Sequence, residues 1–391
     1  MFELYKTALW GIYENSGLAG LSSNNLIMLI VAFVLLYLAI RKGFEPLLLV
    51  PIAFGCLLAN LPLSGILDEP LTQEQIAAGV NGSIHGGFLY WVQMGIRYEL
   101  YPIIIFMGIG ALTDFGPLLA NPITFLLGAS AQLGVFVAVS GAMAWGFTIQ
   151  EAAGIGIIGG ADGPTAIYLC SKLAPHLLGA VAVAAYSYMS LVPLIQPPVI
   201  KLLTSKADRA IKMDQLRPVS KLERVLFPII STIICGLVLP ACAPLVGLLM
   251  FGNLLRESGC TERLSQAAQN EVLNMTTIFL GISVGGTMAG DTFLQPTTLK
   301  IIVLGFIAFG FSTAGGLTLG QLFKVISKGK INPTIGAAGV SAVPMAARVV
   351  QKVVQKENPN SFLLMHAMGP NVAGVIGTAV AAGAMLTLLT K

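Results

Sequence analysis

Seven stretches of this chain, residues 15–40, 46–67, 115–150, 173–200, 225–255, 301–323 and 358–390, contain no Asp, Glu, Lys or Arg. Each reaches or passes the ~20 residues with which an α-helix crosses a bilayer, and the longest have room for two short crossings. A helix satisfies its own backbone hydrogen bonds, which hydrocarbon demands of any spanning segment. Only 10% of the 391 residues are charged and 55% are hydrophobic, whereas a soluble domain carries about 25% charged residues. The expected fold class is an all-α polytopic membrane protein with about 9–11 transmembrane segments, broken helices counted once.

Charge placement orients the chain. Lys201, Lys206, Arg209, Lys212, Arg217, Lys221 and Arg224 crowd one loop, which the positive-inside rule puts in the cytoplasm. Arg41 and Lys42 place their short loop on the same side, so Asp68, Glu69 and Glu74 fall outside. A net charge of +4 is too small to suggest a nucleic-acid partner. Cys56, Cys170, Cys235, Cys242 and Cys260 show no metal or disulfide spacing and read as small packing residues. No cleavable signal peptide is evident, and the first long apolar segment is expected to stay as a helix.

One aspartate stands where a bilayer disfavours it, in Ile157-Ile158-Gly159-Gly160-Ala161-Asp162-Gly163-Pro164-Thr165-Ala166. A carboxylate at membrane depth costs roughly 2.5–3.5 kcal/mol on insertion scales and normally faces a pocket, a partner or an ion path. The glycines and proline around it mark a broken helix, whose freed carbonyls and half-helix ends are the material of transporter cation sites. Asp162 also suits an N-cap for a helix starting near Pro164. Both roles are compatible.

An internal repeat runs through the chain. Ile105-Phe106-Met107-Gly108-Ile109 matches Ile278-Phe279-Leu280-Gly281-Ile282 at an offset of 173, Thr165 pairs with Ser341 at 176, and Pro193 with Pro370 at 177. The division expected is a membrane scaffold at 1–96, a first core repeat with the basic loop at 97–217, a connector at 218–273 and a second core repeat at 274–391. A connector making a single crossing is favoured, with inverted repeats whose broken helices meet at mid-membrane.

The second broken segment runs from Asn332-Pro333 through Gly336, Gly339 and Ser341 to Pro344 and Arg348. Asn332 and Ser341 are neutral oxygen donors of the kind a hard cation accepts, and one carboxylate with neutral oxygens suits a monovalent ion. Asn371, after Gly369-Pro370, is a further donor of this kind. Arg348 lines up with Lys352 and Lys356 on one helical face, either as a snorkelling stripe or as a forked donor for a carboxylate. Tyr186 and Tyr188 lie deep in their segment, where a hydroxyl needs a partner or relays a proton. Asp114, Glu151 and Asp291 read as loop or cap residues, and neither His176 nor His366 has a ligand-spaced partner.

Gly159-Gly160-Ala161-Asp162-Gly163-Pro164-Thr165, the segment from Asn332 to Arg348, and Arg41-Lys42-Gly43-Phe44-Glu45-Pro46-Leu47-Leu48-Leu49 resemble the beta subunit of sodium-translocating, biotin-dependent decarboxylases. That family includes the oxaloacetate, methylmalonyl-CoA, glutaconyl-CoA and malonate enzymes. The resemblance implies a translocase subunit of the bacterial or archaeal cytoplasmic membrane that decarboxylates carboxybiotin and exports Na+. It implies that Asp162, Asn332, Asn371 and Ser341 hold Na+, that Tyr188, Ser341 and Arg348 serve catalysis, and that Arg348 and Gly336 serve the carboxylated biotin. The implied partners are a carboxyltransferase alpha subunit, a biotin carrier subunit or domain, a small membrane gamma or delta subunit and further copies of the chain.

Ile211-Lys212-Met213 resembles a biotinylation motif but lacks the methionine before the lysine, so biotin is expected on a partner. Exporting Na+ against an inside-negative potential costs ~2.3 kcal/mol per 100 mV and needs a source of work. A sodium-coupled secondary transporter and a passive membrane anchor are the alternative functions.

Overall fold

The computed structural model describes residues 10–43, 45–80 and 82–390, apart from the side chain of Ser190; Phe44 of the N-terminal string lies outside them. Contacts group the chain into two units, Met1–Tyr101 with Thr277–Leu299, and Pro102–Thr276 with Lys300–Lys391. The described residues form helices and no strands. Four helices are long and apolar enough to cross a membrane, or six when each bent pair is one span. Much of the remaining apolar sequence forms shorter helices that turn back, which is why single spans are fewer than apolar stretches.

The first unit contains α1 (Ser23–Lys42) and α2 (Pro46–Ala59). Ser22 caps α1 through a reciprocal box with Asn25, and Arg41 and Lys42 occupy its last turn, where cations suit the dipole. Gly55 allows close backbone approach: a Cβ there would lie 2.3 Å from the Ile282 carbonyl oxygen. Asn60 ties the same region together, donating to the Met288 carbonyl at 2.9 Å and accepting from Gly290 N at 2.9 Å. Residues 277–299 therefore pack with the N-terminal helices, although by sequence they follow the connector.

The second unit is built on a repeated order of long helix, broken hairpin and long helix. The first set is α3 (the span Thr124–Ala144), α4 (Ile149–Gly156) with the 3-10 turn η1 (Ile157–Gly160), α5 (Gly163–Leu173), and α6 (Leu178–Leu203). Next come α7 (Lys221–Val238) and α8 (Ala243–Glu257). The second set is α9 (Pro296–Ile326), the 3-10 helix η2 (Pro333–Gly339), α10 (Met345–Gln355) and α11 (Leu364–Leu389).

Helix α6 serves as a ruler. It bends by 63° between Met189 and Leu191, as expected where Pro193 has no N–H to offer the Met189 carbonyl. At its start, Glu151 and His176 pair at 2.8 Å, so the hairpin α4–η1–α5 has both ends on that side. At its far end, Arg209 pairs with Glu357 at 3.1 Å. Asn332 Nδ2 donates to the Ile211 carbonyl there at 2.8 Å, so both ends of η2–α10 lie on the basic-loop side. The two hairpins enter from opposite ends of α6.

The basic-loop side is latched by Asp208, which binds Lys324 at 2.5 Å and Gln321 at 3.1 Å. Burial alone would raise the pKa of Asp208, but hydrogen bonds from Lys324, Ser205 N and Gln321 outweigh it and hold the carboxyl well below its usual range. Helices α3 and α9 run antiparallel: Gly134 meets Ala308 and Ser312, and Gly141 meets Leu304.

The connector differs from the single crossing expected. Helices α7 and α8 are joined by a short 3-10 turn at Pro240–Cys242, and Arg224 reaches Glu257 at 3.7 Å, so the pair returns to the side it left. The inverted order of the hairpins stands on their own anchors instead.

Candidate functional site

Each hairpin tip follows from its local sequence. Gly159 and Gly160 allow the chain to tighten into η1, and Ala161 then adopts a left-handed conformation at φ +56°, which costs an alanine about 1–2 kcal/mol. That turn presents Asp162 as the N-cap of α5, its Oδ1 accepting from Thr165 N at 3.1 Å. In the second hairpin η2 ends at Gly339, Val340 is extended, and the chain turns through Ser341 into α10. Gly316 and Gly336 permit the descent of η2 beside α9, because a Cβ on Gly336 would sit 2.0 Å from the Gly316 carbonyl oxygen.

The tips meet. Ser341 Oγ donates to Asp162 Oδ2 at 2.8 Å, and Ser341 N donates to the Gly160 carbonyl at 3.0 Å. Asp162 is 4% exposed and Ser341 6%. No ion pair involves Asp162 among the described residues, so this buried carboxylate is held by neutral donors alone. The carbonyl ends of η1 and η2 and the N-terminal ends of α5 and α10 both lie at the junction, so their partial charges oppose one another there. A monovalent cation would neutralise the carboxylate without a lysine or arginine. Among the described residues no group of three or more His, Cys, Asp or Glu side chains is arranged to hold a metal.

Buried oxygens without hydrogen-bond partners surround this junction. Asn371, fully buried on α11, donates through Nδ2 to the Ala338 and Val340 carbonyls at 3.0 and 2.7 Å, leaving its Oδ1 unpaired. Gln196 of α6 donates to the neighbouring Ala337 carbonyl at 2.8 Å and leaves its Oε1 unpaired. The Tyr186 hydroxyl is likewise buried and unpartnered, and the buried Thr165 Oγ1 lies against the Asp162 carboxylate. Tyr186 lies beside Asp162, since a Cβ on Gly163 would meet its ring at 2.3 Å. Thr165 and Gln196 escape a search for charge; the sequence marks Gln196 only as a polar side chain within an apolar run, and Thr165 also as the repeat partner of Ser341.

Other expected site residues are placed differently. Asn332 caps η2, its Oδ1 accepting from Thr334 N at 3.0 Å and Thr334 Oγ1 at 2.6 Å. Seven 3-10 residues follow before the tip, which at ~2 Å rise per residue puts Asn332 about 14 Å from it. Asn332 thus stands at the opposite end of η2 from the tip that carries Ser341. The Tyr188 hydroxyl donates to the Ile302 carbonyl and its ring packs on Phe306 of α9, away from the carboxylate. Arg348 is exposed on the first turn of α10 and makes no ion pair among the described residues. Asp114 and Glu151 act as turn and cap residues, accepting from Gly116 N and Thr148 N.

Comparison with known proteins gives this geometry a family. The model of the Na+-transporting oxaloacetate decarboxylase beta subunit matches residues 24–389. The chain is 57% identical to the glutaconyl-CoA decarboxylase subunit beta of Acidaminococcus fermentans, over 99% of both chains. It is also 57% identical to the methylmalonyl-CoA decarboxylase subunit beta of Veillonella parvula, over 100% of both. With the oxaloacetate decarboxylase beta chain 2 of Salmonella typhi identity is 52%, over 97% of this chain and 98% of the relative. A membrane protein whose two broken hairpins close on a buried aspartate with no cationic partner among the described residues, matched along nearly its whole length, belongs to the family of Na+-transporting oxaloacetate decarboxylase beta subunits.

Proposed function

We propose that this chain is the membrane subunit of a primary sodium pump, decarboxylating carboxybiotin carried by a partner and exporting Na+ as it does so. The observation that carries the reading is the junction of Asp162 and Ser341 at 2.8 Å, a buried carboxylate without a cationic partner among the described residues. Asp162 and Ser341 provide oxygens for Na+, and Asn371 adds its unpaired Oδ1. Asn332 shapes the descent of η2 from the basic-loop side in this conformation. Arg348 receives the carboxylated biotin, whose planar carboxylate suits a forked donor. Tyr186, beside Asp162, joins Tyr188 and Ser341 as a candidate for proton handling.

In the reaction the N–C bond of carboxybiotin breaks, CO2 leaves, and the electron pair on the ureido nitrogen takes up a proton. Requiring Na+ at Asp162 before that proton is consumed ties chemistry to transport. Relatives named for three acyl substrates are similarly identical to this chain, as expected if the acyl substrate meets another subunit. The partners under this reading are a carboxyltransferase alpha subunit, a biotin carrier and a small gamma or delta subunit, in a homo-oligomeric assembly in the cytoplasmic membrane. Purified chain supplied with free carboxybiotin tests it: CO2 release should require Na+, and Ser341→Ala should raise the Na+ concentration needed. CO2 release indifferent to Na+ would refute it.

A further inference from the structure

The stripe on α10 extends beyond Arg348 into a groove that the reaction does not use. Lys352 and Lys356 line one wall and Lys201 of α6 the other, over an apolar floor including Pro197 and Val353; the cavity measures about 400 Å³. No carboxylate lines it among the described residues. The nearby acids are already engaged, Glu357 with Arg209 and Asp208 with Lys324. Lys201, Lys352 and Lys356 are exposed and enter no ion pair among the described residues. The groove thus keeps three uncompensated cations, drawn from two helices, beside the cytoplasmic loop.

We propose that this groove docks an acidic segment of the protein that carries carboxybiotin, delivering the tethered group to Arg348. The inference rests on the function proposed above. A tethered reactant requires its carrier to sit within reach of the site, and Lys352 lies one helical turn from Arg348, about 6 Å along the axis. Unpaired lysines flanking an apolar floor match a carboxylate-bearing segment with an apolar underside. Rim charges of this kind act mainly on encounter rate and salt dependence, while groups at the reacting centre act on turnover.

The test uses the complete complex and, in parallel, free carboxybiotin, with Lys201→Glu, Lys352→Glu and Lys356→Glu combined. Expected is a rise in KM for carrier-borne carboxybiotin of about tenfold or more, with the parent's loss of kcat/KM at high salt abolished. Free carboxybiotin should be turned over as by the parent, which also shows that the variant is folded, and Lys→Arg at the same positions should restore carrier kinetics. Unchanged carrier kinetics would overturn the proposal. So would an effect seen only in vesicles containing anionic lipid, which would assign the groove to headgroups, or an equal loss with free carboxybiotin. A parent unable to use free carboxybiotin would strike the functional reading itself.

Discussion

Replacing Asp162 with Asn separates charge from shape. The carboxylate uses Oδ1 for Thr165 N and Oδ2 for Ser341 Oγ. An asparagine keeps the first bond through its oxygen and turns its NH2 to the serine hydroxyl, which then accepts. Asparagine caps helices about as well as aspartate, so stability should change by less than about 1 kcal/mol. The lost charge acts on the ion alone. Two unit charges 4 Å apart interact by about 4 kcal/mol at an effective dielectric constant near 20, or roughly three decades in affinity. Titration of purified Asp162→Asn with Na+, alongside thermal unfolding in the same detergent, should show binding weakened by that order with the melting transition nearly unmoved. Unchanged Na+ affinity would reduce Asp162 to a helix cap and remove the basis of the proposed ion site.

Three further outcomes follow from particular contacts. Gly336→Ala puts a Cβ 2.0 Å from the Gly316 carbonyl oxygen and should cost about 1–3 kcal/mol as overpacking; Gly310→Ala, with nothing within 4 Å, should be neutral or stabilising in the same melting assay. Lys324→Met should cost about 1.5–3 kcal/mol at pH 7 by removing the partner of Asp208. Because the folded pKa of Asp208 is depressed, this contribution is full above the unfolded value of ~3.9 and is lost as pH falls through the folded pKa. The difference in melting temperature from the parent should therefore persist to about pH 5 and shrink below about pH 4. Arg348→Lys keeps the charge but loses the fork. Carboxybiotin turnover at saturating Na+ should drop, and an unaffected Lys variant would remove Arg348 from that role.

The helical membrane character and both broken helices were legible because each leaves a local mark: a charge-free run, a Gly-Gly before Asp162, an Asn-Pro before η2. The alignment of Thr165 with Ser341 pointed to the two breaks, and Ser341 proved to be the residue that touches Asp162. Other features depend on geometry that spacing does not carry. Asn332 is displaced from the tip because the 3-10 residues 333–339 lie between them, with a rise per residue longer than that of an α-helix. Tyr186 and Tyr188, two residues apart, point to nearly opposite faces at about 100° per residue, and which one faces Asp162 is decided by packing against Gly163 and α9. The fold-back after Leu239 lies inside an apolar run with no charge to mark a surface. The packing of residues 277–299 with the N-terminal helices rests on glycine contacts such as Gly55 with Ile282, which are remote in sequence.

The central claim, that carboxybiotin decarboxylation at this chain drives Na+ across the membrane, is tested most directly in vesicles with the basic-loop side outward. Radiosodium uptake and CO2 release are followed together after carboxybiotin is added outside. Uptake should begin with CO2 release, proceed against a Na+ gradient, and cease with CO2 release when Asp162→Asn replaces the parent. CO2 release without Na+ uptake, or uptake against a gradient without carboxybiotin, would contradict the coupling.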